Sequence, residues 1–237
     1  MSPGRRAERH ARVPLAAFGV VTVVDLVCLV AGSGLGHALA KPLLMPLLAA
    51  HVGLRGGPRL LVAALLFGWG GDVLLLFDVD AAFLAGMGSF AAGHVCYLVL
   101  FKKHASLGRE AENGAPRARA AWPAAGYGVA LVTTVALLWP DLPPELRLSV
   151  AAYSVLLTAM AYRATRLGLT AALGGALFML SDTLIATGVA EWPQLPRPEF
   201  WIMGTYIAAQ LLLVRGVMSA VGGRRTPVTS ESAPAAP

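Results

Sequence analysis

The chain has 237 residues, 57% of them apolar and 14% charged, with a formal net charge of +6 and a mean hydropathy of +0.66. No soluble domain of that length carries so large an apolar share, so the composition excludes one and requires a polytopic membrane protein. The surplus of Lys and Arg is then a topology signal, and nucleic acid is not expected as a partner.

Apolar stretches long enough to cross the ~30 Å hydrocarbon core run at 13–31, 59–77, 81–101, 120–139, 146–165, 168–190 and 200–221, with a shorter one at 39–52. They predict a single all-α domain over 1–221, a bundle of eight transmembrane helices. The first stretch is too long for the core of a signal peptide and contains Asp25, so it reads as a span and not as a cleaved leader. The short second stretch starts near Lys41-Pro42, where a proline is tolerated in the first helical turn. The connection at 102–121 and the tail at 222–237 are polar and Pro/Gly-containing, and are expected to be mobile cytoplasmic segments.

Charge in the connections orients the helices. Most of the 19 basic residues fall on one side, in the N-terminal segment, near 55–59, 102–119 and 163–166, and at the C-terminal end, while the other side holds only Lys41, Arg147 and Arg197. Cytoplasmic loops collect Lys and Arg, so both termini are expected in the cytoplasm of a multi-pass inner (plasma) membrane protein. Cys28 and Cys96 fall inside spans and read as small packing residues. The five histidines are scattered, with no metal-ligand spacing.

Polar residues inside the spans carry the functional signal. Asp72 interrupts LFGWGGDVLLLF at 66–77, and a carboxylate at membrane depth is disfavoured by roughly 3 kcal/mol. At 1.5 Å of rise per residue, Asp25, Asp72 and Asp182 each lie roughly 18 to 21 Å along helices running outward. Helices running inward bring Tyr153, Tyr206 and Gln210 to nearby depths, with Lys41 nearer the outer interface and His94 somewhat deeper. Scattered polar groups would not converge on one layer, so a polar chamber is predicted in the outer half of the bundle. Small residues such as Gly68, Gly71, Gly174, Gly175 and Ser181 let the helices approach around it and leave room beside each carboxylate.

Five strings occur in register along the spans: KPLLMPLL, the G-D of LLFGWGGDVLLL, the H-x-x-Y of FAAGHVCYLVLF, the F-x-x-S-D-x-x-I-A of ALFMLSDTLIA and the T-Y-x-x-A-Q of TYIAAQLLL. Together they resemble the YhhN-like lysoplasmalogenase family. The resemblance implies an integral membrane hydrolase that cleaves the vinyl ether of a lysophospholipid, a lysoplasmalogen, to a fatty aldehyde and glycerophosphoethanolamine or glycerophosphocholine. It implies that Asp72 and Asp182 are the essential acids, with His94, Tyr97, Ser181, Tyr206 and Gln210 in the surrounding motifs. Asp25 belongs to none of these strings and is expected to orient a tyrosine or a water.

Vinyl ethers resist base and yield to acid, so the reaction needs a proton donor and a water activator. Two carboxylates in different environments supply both, with no metal or organic cofactor. A lipid with its reacting bond beside outer-half aspartates turns its phosphate outward, and Lys41 is the expected contact, with Tyr153, Tyr206 and Gln210 lining the throat. Paired acids near Tyr, His and Gln equally suit a proton-coupled transporter. Against that alternative stand the short chain and the lack of paired Gly/Pro interruptions in its helices.

Overall fold

A computed structural model describes residues 3–109 and 121–222. Eight α-helices account for nearly all of the described residues: α1 (Pro3–Ala31), α2 (Gly34–Leu54), α3 (Arg59–Leu74), α4 (Asp80–Arg109), α5 (Ala121–Leu138), α6 (Pro144–Ala164), α7 (Leu169–Val189) and α8 (Pro198–Gly222). The all-α expectation holds, and 5 of the helices are individually long and apolar enough to cross a membrane. The face of α1 turned away from the protein carries Val20, Val23, Val27 and Val30, all more than half exposed, as suits a surface whose solvent is lipid.

Several boundaries differ from the sequence reading. The second helix is not short: it begins at Gly34, where Ser33 caps it by accepting from the Gly36 N–H at 3.3 Å, so Pro42 and Pro46 both lie inside it. Interior prolines leave a carbonyl one turn back without its donor. For Pro46 that carbonyl belongs to Pro42, and the Trp69 indole N–H of α3 donates to it at 2.9 Å. A neighbouring helix thus supplies what the backbone lacks, which the sequence could not reveal because Trp69 lies 27 positions away. Helix α3 stops at Leu74, three residues before the predicted end. α1 and α4 are longer than their apolar cores, and α4 carries helix through 102–109, where a loop was expected. The rest of that connection and the tail beyond Gly222 lie outside the described residues.

Packing closes the bundle. α1 packs on α2, α2 on α3, α3 on α4, α4 on α6, α6 on α7, α7 on α8 and α8 back on α1, so seven helices form a ring, with α5 outside it against α6. The α7–α8 and α6–α7 seams are tight: a Cβ at Gly174 would meet the Leu213 backbone at 2.9 Å, and one at Gly175 would meet the Ala161 Cα at 2.9 Å. Such small-residue contacts let helices pack without a hydrophobic driving force. The middle of the ring is filled by Phe90, His94, Tyr97, Phe178 and Tyr206, with edge-to-face ring contacts such as Phe178 on Tyr206 at 5.5 Å and Phe178 on His94 at 4.8 Å.

Candidate active site: two aspartates, each held by a tyrosine

Asp72 lies in the last turn of α3 and is buried. The Tyr206 hydroxyl of α8 donates to its Oδ2 at 2.9 Å. Gln210, one turn further along α8, donates from Nε2 to the Tyr206 oxygen at 3.3 Å, and Tyr97 of α4 donates to Gln210 Oε1 at 2.6 Å. Every donor in this chain points toward Asp72. Four motif residues from three helices are thereby joined in one direction, which locks the tyrosine rotor that serves the carboxylate. Gly68 makes the approach possible, since a Cβ there would lie 3.0 Å from the Tyr206 hydroxyl and 3.1 Å from Gln210 Nε2.

Asp182 has the same support from different helices. It sits seven residues before the end of α7, and Tyr153 of α6 donates a hydrogen bond to its Oδ2. His94 of α4 bonds through Nε2 to that tyrosine oxygen at 2.9 Å. With Tyr153 donating to the carboxylate, its oxygen accepts from an Nε2–H imidazole. His94 Nδ1 is buried with no hydrogen-bond partner, which fits that tautomer, because a bare lone pair costs less to bury than an unpaired N–H.

Asp182 feels the charge of Asp72. Asp182 borders an apolar cleft between α4, α5, α6 and α7, whose walls include Met87, Phe90, Thr134, Val150, Leu157 and Val189. Apart from Asp182, Tyr153, Ser154 and two threonines, nothing polar lines it. Asp72 does not border that cleft. Its electrostatic neighbours are Lys41 and His37 of α2 and Asp25 of α1.

Lys41 is buried, the eighth residue of α2, which puts it roughly 10 Å below the helix end. It has no hydrogen bond or ion pair among the described residues, and its charge acts on Asp72. Asp25 is fully buried and accepts from or donates to His37 Nδ1 at 2.8 Å, not to a tyrosine. His37 is the member of the site that sequence reasoning missed; its place three residues into α2, facing Asp25 across the α1–α2 turn, was the available signal. Ser181 spends its hydroxyl on the Ile202 carbonyl of α8 at 3.0 Å and so fixes the helix seam beside Asp182.

The profile of the YhhN family matches residues 36–217. The chain belongs to the YhhN family. Among YhhN relatives, it is 33% identical over 164 residues to human lysoplasmalogenase TMEM86B, covering 67% of this chain and 63% of the human protein. It is 34% identical over 175 residues to the pig lysoplasmalogenase TMEM86B, covering 71% and 70%, and 32% identical over 222 residues to a lysoplasmalogenase of Mycobacterium bovis, covering 84% and 79%. The chain thus spans a little under two thirds of the human YhhN protein. No solved structure matches.

Proposed function

We propose that this YhhN protein is a lysoplasmalogenase: it hydrolyses the vinyl ether of a lysophospholipid within the membrane, releasing a fatty aldehyde and a glycerophosphoalcohol. The observation that carries this reading is the single carboxyl, Asp182, at the wall of a mostly apolar cleft, with a second carboxyl, Asp72, acting on it electrostatically. A fatty chain in the cleft lays its first double bond beside Asp182. The names of the relatives support the same substrate class.

In this reading Asp182 is the acid. It transfers its proton to the alkenyl carbon β to the ether oxygen, the π pair forms the new C–H bond, and the ether oxygen shares the charge of the resulting oxocarbenium ion. Asp72 removes a proton from water as the water oxygen bonds to the oxocarbenium carbon, the one attached to the ether oxygen, and gives a hemiacetal. The hemiacetal then returns its hydroxyl proton to Asp182, the C–O bond to glycerol breaks, and the departing oxygen takes the proton from Asp72. Both acids end as they began, and no net proton is consumed. The tyrosines orient one lone pair of each carboxyl and leave the other for the reacting atoms. Lys41 balances the charge of Asp72. The proposed orientation keeps both termini cytoplasmic and the site toward the opposite face.

Purified protein in detergent, with no ion gradient, tests the reading directly. Aldehyde released from a 1-alkenyl lysophospholipid at a rate proportional to protein supports it. No release, with uptake of a solute by proteoliposomes under a proton gradient, would replace it with the transporter.

A further inference from the structure

The cleft beside Asp182 takes its walls from helices that do not all meet. α4 supplies Phe83, Met87 and Phe90, and α5 supplies Thr134 and Leu138. Among the described residues, α4 packs on α3 and α6, and α5 on α6 and α7, but α4 and α5 share no packed seam. The end of the cleft toward the α5–α6 turn is shut. Leu138, Leu142, Val150 and Ala190 bury against one another there, with Met87 and Trp192 packed on them. The Trp192 indole N–H donates to Asp141 at 2.7 Å, and Arg147 donates to the Leu142 and Pro140 carbonyls at 3.0 Å each, so the turn is tied down over this cluster.

The side of the cleft is not shut. Phe83, Met87, Thr134, Ser154, Asp182 and Ile185 all line it, yet each is only half-buried. Depth decides what they meet. Trp139 just after α5 and Trp201 in the first turn of α8 lie at this end of the bundle, 41% and 46% exposed, and exposed tryptophans mark the membrane interface. Thr134 is five residues below Trp139, roughly 8 Å toward the bilayer centre. The open side therefore faces lipid chains, while the buried cluster bars the way from water. The cleft holds about 80 Å³, against the ~150 Å³ of a cavity that takes up benzene. A few carbons fit beside Asp182, and a whole fatty tail does not.

We propose that the gap between α4 and α5 is a lateral portal to the bilayer, through which a lipid presents the reacting end of its chain to Asp182 while the rest of the tail stays among the surrounding lipid chains. The assignment rests on the lysoplasmalogenase reading above and adds to it the route of entry. It differs from a blind tail pocket inside the bundle, which would measure chain length.

Two 1-alkenyl lysophosphatidylethanolamines, octenyl and hexadecenyl, presented in nanodiscs at equal mole fraction, separate the two cases. Their kcat/KM values should agree within about fivefold, because a tail that stays in lipid before and after binding contributes no differential binding energy. A larger preference for either chain puts the tail inside the bundle and overturns the portal. Thr134→Trp fills the rim of the gap and should lower kcat/KM by at least about fivefold for both lipids, whereas Val129→Trp, on the lipid-exposed face of the same helix, should leave it unchanged. Equal effects of the two substitutions overturn the portal. Photolabelling gives a readout independent of hydrolysis: a saturated 1-alkyl lysophosphatidylethanolamine carrying a diazirine at mid-chain should label α4 and α5 at the rim of the gap, in competition with the unlabelled lipid, and should fail to do so in Thr134→Trp. Such labelling supports the portal even if no aldehyde is ever released. Its absence from both helices, or its persistence in Thr134→Trp, overturns the portal even in an active hydrolase.

Discussion

The hydroxyl of Tyr206 donates to Asp72 at 2.9 Å across 134 positions of sequence, and it is the last link of a chain that begins at Tyr97. Tyr206→Phe removes the donor and strands two partners, the Asp72 Oδ2 lone pair and the Gln210 amide. A hydrogen bond to a charged group contributes about 1.5 to 3 kcal/mol, so kcat should fall by about 10- to 100-fold with KM little changed. Tyr153→Phe should act likewise through Asp182. Initial rates of aldehyde release decide the matter, and undiminished kcat in both variants would leave the tyrosines as packing residues only.

Asp72→Asn and Asp182→Asn keep the shape of each side chain and remove its proton chemistry. Each should cost at least about 10²-fold in kcat while the protein still inserts and runs as a monodisperse peak in detergent. If either variant keeps more than about a tenth of the wild-type rate, that aspartate is neither the acid nor the activator of water.

Much of this site was legible in the sequence because polar residues in a lipid-embedded helix have few reasons to exist. Asp72, Asp182, Tyr153, Tyr206, Gln210 and His94 stood out for that reason, and 1.5 Å of rise per residue was enough to expect all but the deeper His94 near one layer. Partner choice was not legible. Nothing local indicates that Tyr206 serves Asp72 and Tyr153 serves Asp182, since that follows from which helices close the ring. His37 escaped notice because a histidine near a helix end is unremarkable until the facing residue on α1 is known. The full length of α2 was hidden by its two prolines, whose cost is met partly by the Trp69 indole.

Gly68 offers a steric test of the hydrogen-bonded chain. A methyl there lies 3.0 Å from the Tyr206 hydroxyl and 3.1 Å from the Gln210 amide, both movable ends of side chains, so the helices need not part. Gly68→Ala should therefore lower kcat by about tenfold, the equivalent of about 1.4 kcal/mol, with only a small change in Tm. Gly88→Ala on α4, where a Cβ meets nothing within 4 Å, should leave both unchanged and serves as the control for helix propensity. Equal activity of the two variants would remove the tyrosine chain from the mechanism.

Lys41 separates charge balance from substrate binding. It is buried, lacks a hydrogen bond or ion pair among the described residues, and acts on Asp72 through space. Removing one charge of a buried set leaves the other uncompensated, so Lys41→Met, which keeps the length of the stem, should lower kcat by at least about tenfold. KM should change by less than about threefold, because an interaction with the catalytic carboxylate is made more strongly as charge develops than in the ground state. Lys41→Arg should recover part of the loss. The opposite split, a raised KM at constant kcat for phosphate-bearing substrates but not for 1-alkenylglycerol, would assign Lys41 to the lipid phosphate and not to Asp72.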